Sequence, residues 1–186
     1  MPGKLIIISG PSGVGKSTII RRLAERTGAR ISISATTRPP GPQEKNGVHY
    51  YFYSRPEFEA LIREKKLLEY AEYLGNFYGT PRQPVEQALQ AGTDVILGIE
   101  VQGAKEVVKI FKDAIIICLC PPSDEELARR LRDRARDNEA SIARRIANAK
   151  REIAMAKEAG IYKYWVVNDQ FEQAVDEIIS VCKQET

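Results

Sequence analysis

The sequence predicts an α/β fold in which a parallel sheet is flanked by helices and interrupted by a small β-rich insertion. Three observations predict it. Short apolar runs at residues 5–8, 94–100, 114–120 and 164–168 alternate with stretches of helical periodicity, and alternating strand and helix with long crossovers is the pattern of a parallel sheet. A glycine-rich segment joins the first apolar run to the first helical stretch. Between residues 32 and 80 the alternation breaks into closely spaced, tyrosine-rich β patterning.

The first run, Leu5 to Ile8, carries no charge and suits a strand buried on both faces. Behind it stands Gly10-Pro11-Ser12-Gly13-Val14-Gly15-Lys16-Ser17-Thr18, which matches G-x-x-x-x-G-K-[ST]. A helix over 16–27 follows, with Ile19, Ile20 and Leu23 set against Arg21, Arg22 and Glu25. Glycines let successive backbone N–H groups turn inward around phosphate oxygens, and the helix N-terminus adds positive potential there. In this motif Lys16 reaches the β- and γ-phosphates and the Ser17 hydroxyl ligates Mg²⁺. A glycine turn that merely closes a βα unit is the plainer reading, but the strand–loop–helix context favours a nucleoside triphosphate.

The insertion contains ISISATTR, VHYYFY and LLEYAEY, too close together for crossovers of a dozen residues between each pair, so short antiparallel strands are expected. Further helices are predicted near 55–65, 82–91, 102–112, 124–136, 139–158 and 170–183. Ser54-Arg-Pro-Glu57 and Ser123-Asp-Glu-Glu126 both fit a capping box, in which serine and glutamate satisfy orphan amides. In the sixth helix Ile142, Ile146, Ala149, Ile153 and Ala156 form one apolar face, and Gly160 stops it.

The whole chain narrows the function classes. Its 186 residues suffice for one core carrying inserted subdomains, and 43% hydrophobic with 28% charged residues is an ordinary globular mixture. No apolar run approaches a membrane span, and the opening MPGK lacks the architecture of a signal peptide, so the expected compartment is the cytoplasm. A formal charge of +3 is too small to argue for nucleic acid, yet Arg129, Arg130, Arg132, Arg134, Arg136, Arg144 and Arg145 crowd one stretch. Cys118, Cys120 and Cys182 lack C-x-x-C spacing and read as buried reduced thiols; His49 is the only histidine, against a metal cage or a histidine-based triad. Ser34, Arg38, Tyr50, Glu69, Tyr78 and Thr80 are polar groups of the insertion that are costly to bury without partners. Glu69, between apolar neighbours in KLLEYA, is either a solvated strand-edge residue or an acceptor for a ligand.

The chain resembles the guanylate kinase family over nearly its whole length. Beyond GPSGVGKST the match includes Ser34-Ala-Thr-Thr-Arg38, Asn46-Gly47 with Tyr50, Glu69, the Gly75 to Gly79 turn with Thr80, Val101-Gln-Gly103, Arg130-Leu131, Arg134, Arg145 and Asn168-Asp169. The resemblance implies a P-loop kinase fold: a parallel five-stranded sheet flanked by helices, with a small mixed β insertion for GMP and a helical lid. It divides one domain into a core (1–31, 82–123 and 158–186), an insertion (32–81) and a lid (124–157). The implied reaction moves the γ-phosphoryl of ATP to GMP or dGMP with Mg²⁺, and the implied partners are these small molecules, with no nucleic acid and no membrane.

By the same resemblance, Gly10 to Thr18 would bind ATP together with Asn168, whose plainer reading is a polar strand terminus. Ser34, Glu69 and Thr80 would face guanine, Arg38, Tyr50 and Tyr78 would hold the GMP phosphate, and Glu100 would stand between both nucleotides. Lys16, Arg134 and Arg145, supported by Arg130, would serve the transfer itself, the other arginines forming a solvated helix face. Guanine presents N1–H and its 2-amino group side by side, so one carboxylate accepts both; adenine presents an acceptor at N1 and is refused. Two positions depart from the family pattern. Gly41 stands where a second phosphate-binding arginine is usual, which predicts weaker GMP binding unless Arg82 or a basic lid residue compensates. Gly98 stands where relatives carry an acidic residue two places before Glu100. Two rival functions fit less of the sequence: a noncatalytic phosphoprotein-binding module, which has no need of Gly15-Lys16-Ser17, and a phosphosugar kinase, which has no need of a base-facing set.

Overall fold

The uncharged run after Lys4 forms β1 (Leu5–Ser9), buried along its whole length, at the centre of the main sheet in the computed structural model, which describes residues 1–73, 75–132 and 139–185. On one side β1 pairs in parallel with β7 (Val95–Gly98), and on the other with β8 (Ile115–Cys120). A strand flanked on both sides and covered on both faces favours apolar side chains, which is why Leu5–Ile8 of β1 and all of β8 are apolar without alternation, the buried Ser9 at the end of β1 being the exception. β2 (Arg30–Ile31) extends the sheet beyond β7, and β9 (Tyr164–Val167) extends it beyond β8. The order is β2-β7-β1-β8-β9, five parallel strands as expected. The sequence marks no strand at β2, because two exposed residues at a sheet edge leave no apolar pattern.

Helices cover both faces. On one, α1 (Lys16–Thr27) and α7 (Phe171–Gln184) pack Ile19, Leu23, Val175 and Ile178 against Ile6, Ile8 and Ile117. On the other, α3 (Arg82–Gln90) and α4 (Val101–Ile110) pack Val85, Leu89, Ala104 and Val107 against Leu5, Ile7 and Leu97. The long α6 (Glu139–Ala159) joins that second layer through Ala156 and packs Ile142 and Ala149 on Leu127 and Leu131 of α5 (Asp124–Arg132). Gly160 ends α6 with φ 63°.

The insertion forms its own sheet from β3 (Ala35–Thr36), β4 (Tyr51–Phe52), β5 (Leu67–Tyr73) and β6 (Asn76–Pro81), in the order β4-β3-β6-β5. β3 and β5 pair antiparallel with β6, as expected for short connections. β3 and β4 instead run parallel. Residues 37–50 supply a crossover long enough to reverse the chain, and Asn46 secures it by accepting the Phe52 N–H at 2.9 Å.

α2 (Arg55–Arg63) covers this sheet and begins at the expected capping box: the Glu57 N–H reaches Ser54 Oγ, and the Ser54 N–H reaches Glu57 Oε2 at 2.7 Å. It stops short of residue 65, where Lys65 takes a left-handed φ of 55°. At the second predicted box, Ser123 Oγ accepts the Glu126 N–H at 3.1 Å, while the Glu126 carboxylate binds Arg129 and Arg130, each at 2.7 Å. Cys118 is buried, whereas Cys120 and Cys182 are half-buried. No helix among the described residues is long and apolar enough to cross a membrane.

Phe58 is wholly buried, stacks on Phe77 at 5.4 Å between ring centroids, and shares a small separate core with Ala35 and Leu67. Phe58→Ala is expected to lower stability by about 3–5 kcal/mol, read as a shift of the denaturant midpoint. A loss under about 1 kcal/mol would mean that the insertion does not depend on this core.

Candidate active site

The glycine loop leaves β1 and enters α1 through a backbone that side chains could not follow. Gly13 and Gly15 have φ of 90° and 99°, a region L-residues avoid. Space is as restrictive as torsion: a Cβ would stand 2.8 Å from Leu131 Cδ2 at Gly13, 2.6 Å from Asn168 Nδ2 at Gly15 and 2.2 Å from the Leu119 carbonyl oxygen at Gly10. Asn168 is buried just past β9, and its Nδ2 donates to the Val14 carbonyl at 2.8 Å. One residue thus braces the loop and also lines an open groove of about 360 Å³ bounded by Gly13, Gly15, Thr18, Arg130 and Asp169. Lys16 folds back so that Nζ donates to the Gly10 carbonyl. Burial depresses its pKa, and Glu100 and Glu152 oppose that shift. Ser17 and Thr18 lie exposed on the first turn of α1.

The predicted acceptor residues gather in the inserted sheet. Glu69 on β5 accepts the Thr80 hydroxyl of β6 at 2.6 Å, the two residues facing each other in register. Gly103 of α4 lies directly beside this carboxylate: a Cβ there would come within 2.7 Å of Glu69 Oε2. Burial pushes the Glu69 pKa up, Glu100 adds to the rise, and Thr80 offsets part of it. Ser34, just before β3, offers its carbonyl to the Tyr51 N–H at 2.8 Å and is half-buried.

A second cluster surrounds Arg38. Its guanidinium lies 5.5 Å from the centre of the Tyr50 ring, and the Tyr78 ring meets that of Tyr50 edge-on at 6.3 Å. Glu44 grips Arg38 in a two-pronged pair, both contacts 2.8 Å, and also accepts the Gly41 N–H at 2.6 Å. Those bonds hold the Glu44 carboxyl down at about 2. Sequence reasoning did not single out Glu44, although a carboxylate six residues after a phosphate-type arginine is a usable signal. Arg82 is engaged at the start of α3: its Nε donates to the Lys65 carbonyl at 3.2 Å and its Nη1 pairs with Glu86 at 3.3 Å.

Glu100 ends the β7 crossover at the N-cap of α4. It acts electrostatically on both Lys16 and Glu69, so it lies between the loop and the inserted pocket. Arg130 is held by Glu126 at 2.7 Å and reaches the Asp169 carbonyl at 3.5 Å, at the rim of the groove. Arg145 is half-buried on α6, and Arg134 lies outside the described residues. Glu152 of α6 is a further charged group at this site. Burial and the nearby Glu100 push its pKa up, and Lys16 pulls it down. Its signal in the sequence is a carboxylate on an otherwise apolar helix face.

Among the described residues, no three His, Cys, Asp or Glu side chains converge as a metal cage. At Gly98 the volume that a side chain would enter is occupied, since a Cβ would fall 2.5 Å from Ile20 Cδ1.

A glycine loop at the end of the central strand of a parallel sheet, leading into a helix N-terminus beside an open groove, defines a P-loop protein. The guanylate kinase family model matches residues 2–185, and the chain belongs to that family. It is 50% identical over 185 residues to a guanylate kinase of Thermus thermophilus, covering 100% of this chain and 83% of that one. With the guanylate kinase of Synechococcus elongatus it shares 49% identity over 174 residues, 93% of each chain. The crystal structure of guanylate kinase from Anaplasma phagocytophilum superposes with a TM-score of 0.77 at 32% identity, covering 99% of this chain and 86% of that one.

Gly98→Asp is expected to cost about 1–3 kcal/mol through overpacking against Ile20. Combining it with Ile20→Val, which removes the obstructing Cδ1, should recover most of that loss. Thermal midpoints of the two single variants and the double variant test this, and strictly additive losses would show that Ile20 is not the obstacle.

Proposed function

We propose that the protein transfers the γ-phosphoryl group of ATP to GMP, and to dGMP, giving ADP and the nucleoside diphosphate. One observation carries the reading: Glu69, a half-buried carboxylate bonded to a neutral hydroxyl at 2.6 Å, feels the charge of Glu100, which also acts on Lys16 of the glycine loop. Glu69 retains unused acceptor capacity for two parallel N–H donors, which guanine supplies and adenine does not. Hydrogen bonds to a charged group contribute about 1.5–3 kcal/mol, so the pocket strongly favours the matching base. Ser34 and Thr80 complete the base site, and Arg38, Tyr50 and Tyr78 receive the acceptor phosphate, with Glu44 holding the Arg38 fork in place.

Phosphoryl transfer asks the protein for alignment and charge neutralisation more than covalent chemistry. In this reading the amides of residues 10–18 and Lys16 hold the donor phosphates, with Asn168 and Arg130 on the base side of the groove. Arg145 and Arg134 neutralise charge on the group in flight. The insertion, 32–81, and the lid, 124–157, then close over the core, 1–31, 82–123 and 158–186, to exclude water. Mg²⁺ fits this donor set as an ion carried in with ATP: Ser17 offers a hydroxyl on the first turn of α1, Glu100 is exposed nearby, and Mg²⁺ keeps several waters of its own. When bound, it would neutralise β- and γ-phosphate charge.

Two experiments test the reading. Nucleoside diphosphate formation from ATP and Mg²⁺ is measured with GMP, dGMP, AMP, CMP and UMP, for the native chain and for Glu69→Gln. The native chain should prefer the guanine acceptors. The variant should lose about 10–100-fold in kcat/KM for GMP with an ATP KM within about twofold of the native value. Because burial raises the Glu69 pKa, its acceptor form is lost as pH falls at values above the ordinary carboxylate range. KM for GMP should therefore climb on acidification in the native chain, without that inflection in Glu69→Gln. A variant with native GMP kinetics would remove Glu69 from the base site.

The backbone at Gly41 is not in the left-handed region, and the atoms nearest a Cβ there all belong to the Glu44 side chain, Oε2 at 3.2 Å, which Gly41→Arg would have to displace by a few tenths of an ångström. Restoring this cation should lower KM for GMP by roughly fivefold, about 1 kcal/mol, with kcat little changed. An unaltered KM would show that the acceptor phosphate does not approach residue 41.

A further inference from the structure

Gly103 is the third residue of α4 and belongs to its buried face with Val101, Ala104 and Val107. Nothing in the backbone calls for glycine there: its φ is not positive, and it lies within the helix and not at a turn. Glycine weakens a helix relative to alanine, because it gives up more conformational freedom on folding. A buried position on a packing face would ordinarily carry at least a methyl group. The reason this one does not is spatial. The three atoms nearest a Cβ at residue 103 all belong to the Glu69 side chain, Oε2 at 2.7 Å, Cδ at 3.1 Å and Cγ at 3.2 Å. Non-bonded carbon atoms rest at about 3.5–4.0 Å, so a methyl here would push the whole end of that side chain aside.

The helix is held where it is, since Leu68 of β5 shares a core with Val101 and Ala104 of α4. The carboxylate, in turn, cannot move without consequence. Its Oε1 accepts the Thr80 hydroxyl at 2.6 Å, and Thr80 is buried on β6, opposite Glu69 in register. That bond fixes one oxygen, while Oε2 lies on the Gly103 side. The nearest atoms include no backbone and no core side chain, so a methyl at residue 103 would be accommodated by turning the flexible end of Glu69. The fold would lose little, but the lone pairs would point elsewhere, and hydrogen bonds weaken steeply once misaligned. We propose that Gly103 is a positioning residue that determines base specificity: its missing Cβ lets α4 pack on β5 while the Glu69 carboxylate stays turned to accept two parallel N–H donors. This rests on the base-recognising role given to Glu69 above.

The test compares G103A, E69A and the double variant E69A/G103A with the native full chain, by steady-state kinetics with ATP, Mg²⁺ and either GMP or AMP and by thermal midpoint. G103A should raise KM for GMP about tenfold, with kcat within about threefold and KM for ATP within about twofold. Its midpoint should be at or above native, since alanine favours the helix. AMP offers that carboxylate no matching pair of donors and should keep its kcat/KM within about threefold, so the preference for GMP shrinks. In E69A no carboxylate is left to displace, and adding G103A should change kcat/KM for GMP by less than about twofold. A native KM for GMP in G103A, or the full G103A loss persisting in the E69A background, would overturn the proposal. So would a midpoint well below native, which would mean that the methyl displaces the helix and not the carboxylate. E69A alone reports on the base site: native GMP kinetics there would remove Glu69 from recognition and this proposal with it. An impaired E69A beside an unaffected G103A would leave the base site standing and sink only the role of Gly103.

Discussion

Everything in this molecule is arranged around a segment of backbone that can carry no side chains. Gly10, Gly13 and Gly15 approach the Leu119 carbonyl, Leu131 and Asn168 so closely that a single added methyl group would collide with each. That closeness is the physical basis of a phosphate site, since backbone amides converge on an anion only where no Cβ intervenes. It also ties distant parts of the chain to the loop. Leu119 comes from β8, Leu131 from α5 and Asn168 from the end of β9, so the register of three strands and the seating of one helix decide whether the loop holds its shape. The amide of Asn168, bonded to the Val14 carbonyl at 2.8 Å, is a side-chain strut that crosses from the end of the last strand to the loop behind the first.

Around this cradle, carboxylates of the same residue type are driven in opposite directions by their partners. Glu44 has a guanidinium and a backbone N–H within 2.8 Å, and its carboxyl is held at about 2. Glu69, half-buried with a hydroxyl as its partner, is pushed up. The first is locked into orienting an arginine. The second keeps lone pairs for donors that arrive with a ligand. Glu100 acts electrostatically on both Lys16 and Glu69, and its field extends to Glu152 on α6.

The departures from the family pattern have different local causes. At Gly98 the space is taken: Ile20 of α1 fills the volume a larger residue would need. At Gly41 it is not taken, and the glycine N–H has instead become part of the grip on Glu44. The first substitution is therefore built into the packing of α1 on β7, whereas the second belongs to the surface loop that presents Arg38.

The parallel core was legible in the amino-acid order, because strands buried on both faces must be apolar and α1 must follow a glycine loop; β1, β8 and the capping box at Ser54 were readable for such local reasons. That order could not reveal β2, whose two exposed residues carry no pattern, or the parallel pairing of β3 with β4, which depends on how residues 37–50 fold back. Nor could it reveal the neighbours of Glu69 and Asn168, Gly103 on α4 and Val14 in the loop, which are remote in the chain. Only the tertiary structure decided those, together with the grip of Glu44 on Arg38, the engagement of Arg82 elsewhere and the position of Glu152. Periodicity records which face of an element avoids water, but a charged atom's partner is set by where other elements pack, and that information is distributed over the whole fold.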